Sequence, residues 1–339
     1  MGKYNFMSEE LFDFEGRILK DESVAYLGFT NSKVSFFCKG KSVRCFIKSN
    51  ITEPVNMAGL SVYIDDKIID RETLVIDREE DWYELCQLPD DEVHMVTIFK
   101  LTEAAMSYVA LVELEICHGE LVKGEFPKKP ELKLEFIGDS ITCGYGVLGE
   151  PESEYTLREE NGLLTYAQIA ADILDARARF FSVSGYGAFV DYEGNIEGNV
   201  PRLYPYVNWF ADKEILYDYK EYVPDVIVIN LGTNDSGHIH KDWVQEGFVK
   251  SYSNFVIRLK EIYPNAKILC ICGTLCDIMF EWIEKAICAC EERGVKDIYM
   301  KRLPYHNVVE DGMASQHPSI ITHQKDGKRV ADFIREILN

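Results

Sequence analysis

Long apolar runs are missing from this chain of 339 residues. No stretch approaches the roughly 18 apolar residues of a membrane span, and the segment MGKYNFMSEE lacks the apolar core of a signal peptide. Positive charge is also scarce, since 36 lysines and arginines stand against 57 aspartates and glutamates, for a formal charge of −21. Nucleic acids and anionic membrane surfaces bind cationic patches. We therefore expect neither a nucleic acid nor an anionic membrane surface as a partner. We expect a cytoplasmic protein unless a leader was removed.

Metal-binding cysteine patterns are missing as well. Ten cysteines are present, but neither Cys272 and Cys276 nor Cys288 and Cys290 have the spacing of a zinc site. Several cysteines occupy core-like strand or helix positions, which is typical of reduced, buried thiols; they are Cys38, Cys45, Cys270, Cys272 and Cys290. The pair His238-Ile239-His240 has the spacing of two metal ligands, but no third ligand is evident. We expect reduced thiols and no metal.

The first third of the chain has the pattern of an all-β domain. Alternating apolar residues on either side of turn signals predict two hairpins, at residues 34–47 and 62–69. Two further strands are predicted at 94–100 and 109–117. Short strands separated by turns are typical of a β-sandwich, here of jelly-roll type.

From residue 132 the pattern changes to alternating strands and helices, which indicates a parallel sheet with helices on both faces. Apolar residues at helical spacing from Tyr166 to Leu174 predict an amphipathic helix between the first two strands. The predicted strands are 132–137, 178–184, 225–231, 267–272 and 297–301.

The stretch LKLEFIGDSITCGYG, residues 132–146, joins the first of these strands to a turn that carries Ser140. Open α/β sheets bind their ligands beyond the carboxyl ends of the strands. Ser140 is therefore either a reactive group at such a site or an ordinary capping serine at a helix start. This stretch alone does not decide between the two.

Three more polar or glycine signals follow later strands. Gly185 ends the second strand, Asn234 follows the third, and His317 lies in the loop after the fifth. Because the carboxyl ends of parallel strands share one edge, the four groups can meet in one crevice. Ser140 would be the nucleophile and His317 its base. The N–H groups of Ser140 and Gly185 and the side-chain amide of Asn234 would stabilise an oxyanion.

These segments resemble the marks of the SGNH (GDSL-type) hydrolases. The marks are present here as Gly138-Asp139-Ser140, Ser184-Gly185, Gly232-Thr233-Asn234-Asp235 and His317-Pro318. Thr142 stands where the α/β-hydrolase pattern G-x-S-x-G needs its second glycine, which disfavours that family.

The front sandwich, the stretch 100–104, the pair Glu160-Asn161 and the run VINLGTND are similar to family 2 carbohydrate esterases. Membership implies removal of acetyl groups from xylan- or mannan-type oligosaccharides, with no metal or cofactor. We therefore expect a jelly-roll sandwich over 1–117, a linker over 118–131, and a flavodoxin-like α/β/α domain with a parallel five-stranded sheet over 132–339.

One position departs from the SGNH pattern. These enzymes usually place an acid three residues before the histidine, and Ala314 stands there. Either Asp311 folds back to orient His317, or a backbone carbonyl holds the ring and the enzyme works with a Ser–His dyad. We favour the dyad, although a carbonyl offers less charge to stabilise an imidazolium.

Other assignments stay open at this stage. A lipase or thioesterase on the same scaffold, or a carbohydrate-binding protein without catalysis, would share much of this pattern. Residues 186–219 are rich in aromatics that could stack on sugars or fill a core. His323 is expected to cap a helix or lie on the surface. The oligomeric state does not follow from the sequence.

Overall fold

The computed structural model describes residues 2–7, 10–21, 23–68 and 73–339. In these ranges no helix combines the length and apolarity that a membrane crossing requires. The chain divides into two compact units. The first comprises Met1–Lys128, Thr156–Arg158 and Val207–Ile215, and the second comprises Lys129–Tyr155, Glu159–Tyr206 and Leu216–Asn339. Two short segments of the later sequence therefore belong to the front unit.

The front unit is built from antiparallel strands in two sheets. Within the described residues the sheet orders are β10-β6-β12-β4-β3, with β1 on β12, and β13-β5-β11-β7-β8, with β2 on β5 and β9 on β7. Apolar side chains of both sheets form one buried core. The strands are β1 (Gly2–Tyr4), β2 (Phe12–Glu15), β3 (Ile18–Asp21), β4 (Val24–Leu27), β5 (Lys33–Lys39), β6 (Ser42–Lys48), β7 (Ala58–Ile64), β8 (Lys67–Ile68), β9 (Leu74–Ile76), β10 (Glu80–Gln87), β11 (His94–Lys100), β12 (Val109–Cys117) and β13 (Glu120–Val122).

The predicted hairpin over residues 34–47 is wrong, although both of its strands exist. β5 pairs with β11, β13 and β2, whereas β6 pairs with β10 and β12 in the other sheet. The chain crosses from one sheet to the other at Gly40, and the Lys41 N–H donates to the Cys117 carbonyl. Alternation of buried and exposed residues predicts a strand but not its partner, because the inward-facing residues are the same in either arrangement.

The second predicted hairpin is confirmed. β7 and β8 pair antiparallel, with Tyr63 opposite Ile68 and Ile64 opposite Lys67. Asp65 and Asp66 both have positive φ, as a two-residue turn of type I′ requires. Ile69, the last residue of that prediction, lies outside the described residues.

The second unit contains the parallel sheet, in the order β15-β14-β16-β17-β18. Its strands match the five predicted ones to within two residues at either end. The elements are β14 (Lys133–Gly138), α1 (Ser140–Cys143), α2 (Tyr166–Ile173), β15 (Arg177–Ser182), α3 (Val200–Leu203), β16 (Val226–Asn230), α4 (Thr233–Ser236), α5 (Asp242–Ile262), β17 (Lys267–Cys272), α6 (Phe280–Glu291), β18 (Ile298–Arg302), α7 (Val308–Asp311), β19 (Met313–Ala314), β20 (His317–Pro318) and α8 (Ile320–Leu338).

Helices cover the sheet because its strands are apolar on both faces. All five residues of β16 are buried. Leu134 and Phe136, on one face of β14, share a core with Ala167 of α2 and with Val330 and Ile334 of α8. Burying a side chain of this size stabilises the fold by about 1.5–3 kcal/mol. The three layers therefore hold the sheet, and with it the carboxyl ends of its strands, in a defined position.

Candidate active site

Ser140 is the first residue of α1, which begins just after β14, the strand between β15 and the central strand β16. Asp139 caps this short helix, since its carboxylate accepts the Ile141 N–H at 3.1 Å. Helix capping by the residue before Ser140 leaves the serine side chain free of that role. The Ser140 side chain is therefore directed elsewhere, although the residue is only 6% exposed.

The structure brings His317 to Ser140. The His317 Nε2 lies 2.9 Å from the Ser140 Oγ, and the His317 Nδ1 lies 3.1 Å from the Ser315 carbonyl oxygen. A carbonyl oxygen only accepts hydrogen bonds, so Nδ1 carries the proton and the Nε2 lone pair faces the serine hydroxyl. The Tyr145 ring packs on the imidazole, with 4.7 Å between ring centroids. This is the arrangement of a serine and its base.

Burial lowers the pKa of His317 below the ordinary value for histidine, and the hydrogen bond from Nδ1 to the Ser315 carbonyl acts in the opposite direction. Desolvation disfavours the charged imidazolium, whereas an acceptor at Nδ1 favours it. The ring is therefore neutral at pH 7 and able to take up a proton.

Asp311 does not fold back to the histidine. Its buried carboxylate pairs with the ammonium group of Lys325 on α8, and its carbonyl accepts the Ser319 hydroxyl at 2.6 Å. Of the two arrangements that the sequence left open, the structure therefore contains the one in which a backbone carbonyl holds the His317 ring.

The turn that supplies this carbonyl has an unusual backbone. Ser315 and Gln316 connect β19 to β20, and their φ angles are +44° and +61°. Type I′ turns take this conformation most easily with asparagine and glycine. Each side chain held in the left-handed region costs roughly 1–3 kcal/mol, which the surroundings must supply.

The predicted oxyanion-binding groups lie close to the serine segment. The Asn234 Nδ2 donates to the Tyr186 carbonyl at 2.9 Å and lies 3.5 Å from the Asp139 Oδ2. It thus joins the segments that carry Gly185 and Ser140. Within the described parts of the chain, the N–H groups of Gly185 and Ser140 have no hydrogen-bond acceptor. Gly185 has φ +78°, a conformation that favours glycine.

Asp235 fixes the loop that follows Gly185. Its buried carboxylate accepts the N–H groups of Ala188, Phe189 and Val190 at 2.8, 2.8 and 2.9 Å. Burial raises the pKa of Asp235 to about 6, and the three N–H donors act against this rise. The Asp235 carboxylate thus fixes residues 188–190, the segment of backbone that follows Gly185.

The remaining candidates have different surroundings. Both ring nitrogens of His238 face protein groups, Nε2 at 3.0 Å from the Tyr192 carbonyl and Nδ1 at 3.2 Å from the Lys241 Nζ. His323 is buried rather than exposed, and its Nδ1 accepts the N–H of Tyr166, the first residue of α2, at 3.0 Å. Burial lowers the pKa of His323 to about 3, so this ring is neutral.

The aromatics at 186–219 differ in exposure. Tyr204 and Tyr217 are buried, whereas Tyr192 is 66% exposed. The Tyr192 ring lies beside Gly185, since a Cβ placed on that glycine would come within 3.0 Å of it. Tyr192 is therefore an exposed aromatic that borders the site, and Tyr186, directly after Gly185, is half-buried.

Sequence reasoning missed two contributors. Asp235 is one of them, although an acidic residue at the end of a buried strand is itself a signal of a site. Ser315 left no signal, because it contributes a carbonyl that every residue possesses.

The GDSL-like lipase/acylhydrolase family matches residues 136–289. The second unit therefore contains a segment that is similar to this family. The cellulase/esterase CelE of Acetivibrio thermocellus is 33% identical over 251 residues, which are 72% of this chain and 30% of that protein. An acetylxylan esterase / glucomannan deacetylase of Cellvibrio japonicus is 24% identical over 264 residues, 75% of this chain and 72% of that protein.

The match in three dimensions extends beyond residues 136–289. A family two carbohydrate esterase from Clostridium thermocellum, solved with cellohexaose, superposes with a TM-score of 0.86 at 28% identity. This match covers 96% of the present chain and 99% of the solved one. The chain is thus similar to family 2 carbohydrate esterases in its all-β unit and in the unit that contains residues 136–289. It spans only about a third of the length of CelE.

Proposed function

We propose that this protein is a serine esterase that removes O-acetyl groups from xylan- or mannan-type oligosaccharides. The distance of 2.9 Å between the Ser140 Oγ and the His317 Nε2 carries the proposal, because a serine becomes a nucleophile when a neutral base accepts its proton. Ser140 and His317 act as a dyad, with the Ser315 carbonyl in the place of a third, acidic residue.

In the first half of the reaction the Ser140 Oγ attacks the acetyl carbonyl carbon while its proton moves to the His317 Nε2. The resulting oxyanion is stabilised by the N–H groups of Ser140 and Gly185 and by the Asn234 amide. Collapse of the tetrahedral intermediate breaks the bond to the sugar oxygen, which takes the proton from Nε2 as it leaves. Water then repeats the sequence on the acyl-serine, and acetate and the free enzyme result.

The substrate class is supported by similarity rather than by geometry. Two of the relatives are named as acetylxylan esterases or glucomannan deacetylases, and the solved structure with a TM-score of 0.86 is a carbohydrate esterase. The exposed ring of Tyr192 beside Gly185 is suited to contact a sugar.

Acetate release from acetylated xylan and mannan oligosaccharides tests the proposal. The parent should release acetate, and Ser140→Ala should reduce kcat by about 10⁴–10⁶-fold with its thermal unfolding unchanged. Acetyl and octanoyl p-nitrophenyl esters are compared in parallel. A preference for the octanoyl ester would indicate a lipase or thioesterase instead, and glycan binding by a parent without esterase activity would indicate a binding protein.

A further inference from the structure

The Ser315 carbonyl that holds His317 belongs to a turn that other residues must keep in shape. Ser315 and Gln316 both have positive φ, a conformation that side chains other than asparagine and glycine rarely adopt without support. A small rotation of the peptide after Ser315 would turn its carbonyl away from the Nδ1. The orientation of the His317 ring therefore depends on the contacts that fix Ser315.

A carboxylate holds Ser315 from outside the turn. The Ser315 hydroxyl donates to the Glu159 Oε2 at 2.9 Å, and the Ser153 Oγ lies 3.0 Å from the same hydroxyl. The Ser315 N–H donates to the Glu150 carbonyl at 2.9 Å. Both the backbone and the side chain of Ser315 are thus fixed by residues that are distant in sequence.

Two glycines allow this close approach. A Cβ on Gly149 would lie 2.1 Å from the Ser315 Oγ, and a Cβ on Gly146 would lie 2.7 Å from the Ser315 Cβ. Gly146 has φ +66°, whereas Gly149 has no positive φ and can accept alanine without backbone strain. A methyl group at Gly149 would therefore push the Ser315 hydroxyl away from Glu159.

We propose that Glu159 is a positioning residue for the histidine, and that it acts through the Ser315 hydroxyl to keep the Ser315 carbonyl aimed at the His317 Nδ1. This inference rests on the esterase function proposed above. Glu159 does not touch the imidazole. It takes over part of the orienting task of the acid that SGNH enzymes place three residues before the histidine, where this chain has Ala314.

The histidine itself reports on this arrangement. The hydrogen bond to the Ser315 carbonyl raises the pKa of His317 against the effect of burial, so a loosened turn should lower that pKa further. Tyr145 packs on the ring. The buried His323 of α8 has a pKa lowered to about 3, and burial raises the pKa of Asp235, next to Asn234, to about 6. A pH profile of activity can therefore contain the titration of Asp235, whereas the ring protons of His317 report the pKa of that histidine alone.

The experiment combines kinetics with a histidine titration in the intact protein. Glu159→Gln, Ser315→Ala and Gly149→Ala should each lower kcat ten- to a hundredfold, because small errors of alignment have effects of this size, while KM stays within about twofold. The acid limb of the pH profile of kcat/KM should move to lower pH. Glu152→Gln, an exposed change nearby, is the matched control and should behave as the parent.

NMR titration of the histidine ring protons, with His317 assigned from a His317→Gln variant, gives a measure that needs no activity. A His317 pKa that falls in all three variants supports the proposal. Unchanged kcat, or lower kcat with an unshifted His317 pKa, would overturn it. The double variant Glu159→Gln/Ser315→Ala should be no worse than either single one, and additive losses would also overturn it. A parent without esterase activity would refute the proposed function but leave the titration to decide the role of Glu159.

Discussion

Replacing Asp311 by asparagine distinguishes a dyad from a triad. Asp311 is the one carboxylate that sequence reasoning offered as a third member, and its side chain pairs with Lys325 instead. The change keeps the shape of the side chain and removes its charge. It therefore breaks the ion pair without touching the hydrogen bond from the His317 Nδ1 to the Ser315 carbonyl.

The expected magnitudes follow from this separation. A lost hydrogen bond between charged groups lowers the free energy of unfolding by about 1.5–3 kcal/mol. The lower end applies here because the Lys325 side chain is 45% exposed and can return to water. Turnover should stay within roughly tenfold of the parent, which corresponds to less than about 1.4 kcal/mol in the activation barrier.

The assay is release of acetate at saturating substrate, together with urea unfolding of the same preparations. Asp332→Asn, which removes an exposed ion pair with Arg335 on α8, controls for a general effect of lost charge. Removal of an acid that orients a catalytic histidine lowers kcat by about 10⁴. A loss on that scale in Asp311→Asn would refute the dyad.

Three further predictions concern single groups. Asn234→Ala should lower kcat by about 10²–10³ with KM little changed, because one oxyanion donor is lost; a change confined to KM in steady-state kinetics would contradict this role. Asp235→Asn leaves at least one of three N–H groups without its acceptor, so urea unfolding should show a loss of about 1.5–3 kcal/mol, and an unchanged midpoint would contradict it. His94 faces Asp65 at 2.6 Å and Asp90 at 2.9 Å; the bond to Asp65 raises the pKa of His94, burial opposes the rise, and Asp90 adds to it. The stabilisation that protonated His94 gives the fold is complete below the unfolded-state pKa of about 6.5 and should be lost as pH rises through the higher folded-state pKa. The free energy of unfolding should therefore fall with pH in this range, and His94→Gln should flatten that slope. An identical slope in the parent and in the variant would disprove the prediction.

The order of strands and helices follows from the sequence because periodicity is local. The alternation along β14 and the helical spacing from Tyr166 are visible within single segments. The predicted ends of the strands then indicated that Ser140, Gly185 and Asn234 lie at one edge of the sheet. The pairing of β5 and β6 does not follow, because both arrangements bury the same side chains. Their partners lie far along the chain and are selected by the packing of two sheets.

The candidate site divides in the same way. The residue types of Ser140, His317 and Asn234 indicate which chemistry their side chains can perform. The sequence by itself therefore determined which side chains could take part in the reaction. Only the tertiary structure decided what orients the imidazole, because the partner is a carbonyl of Ser315, and its direction depends on a strained turn held by the distant carboxylate of Glu159. Backbone groups are the same in every residue, and geometry alone distinguishes one from another.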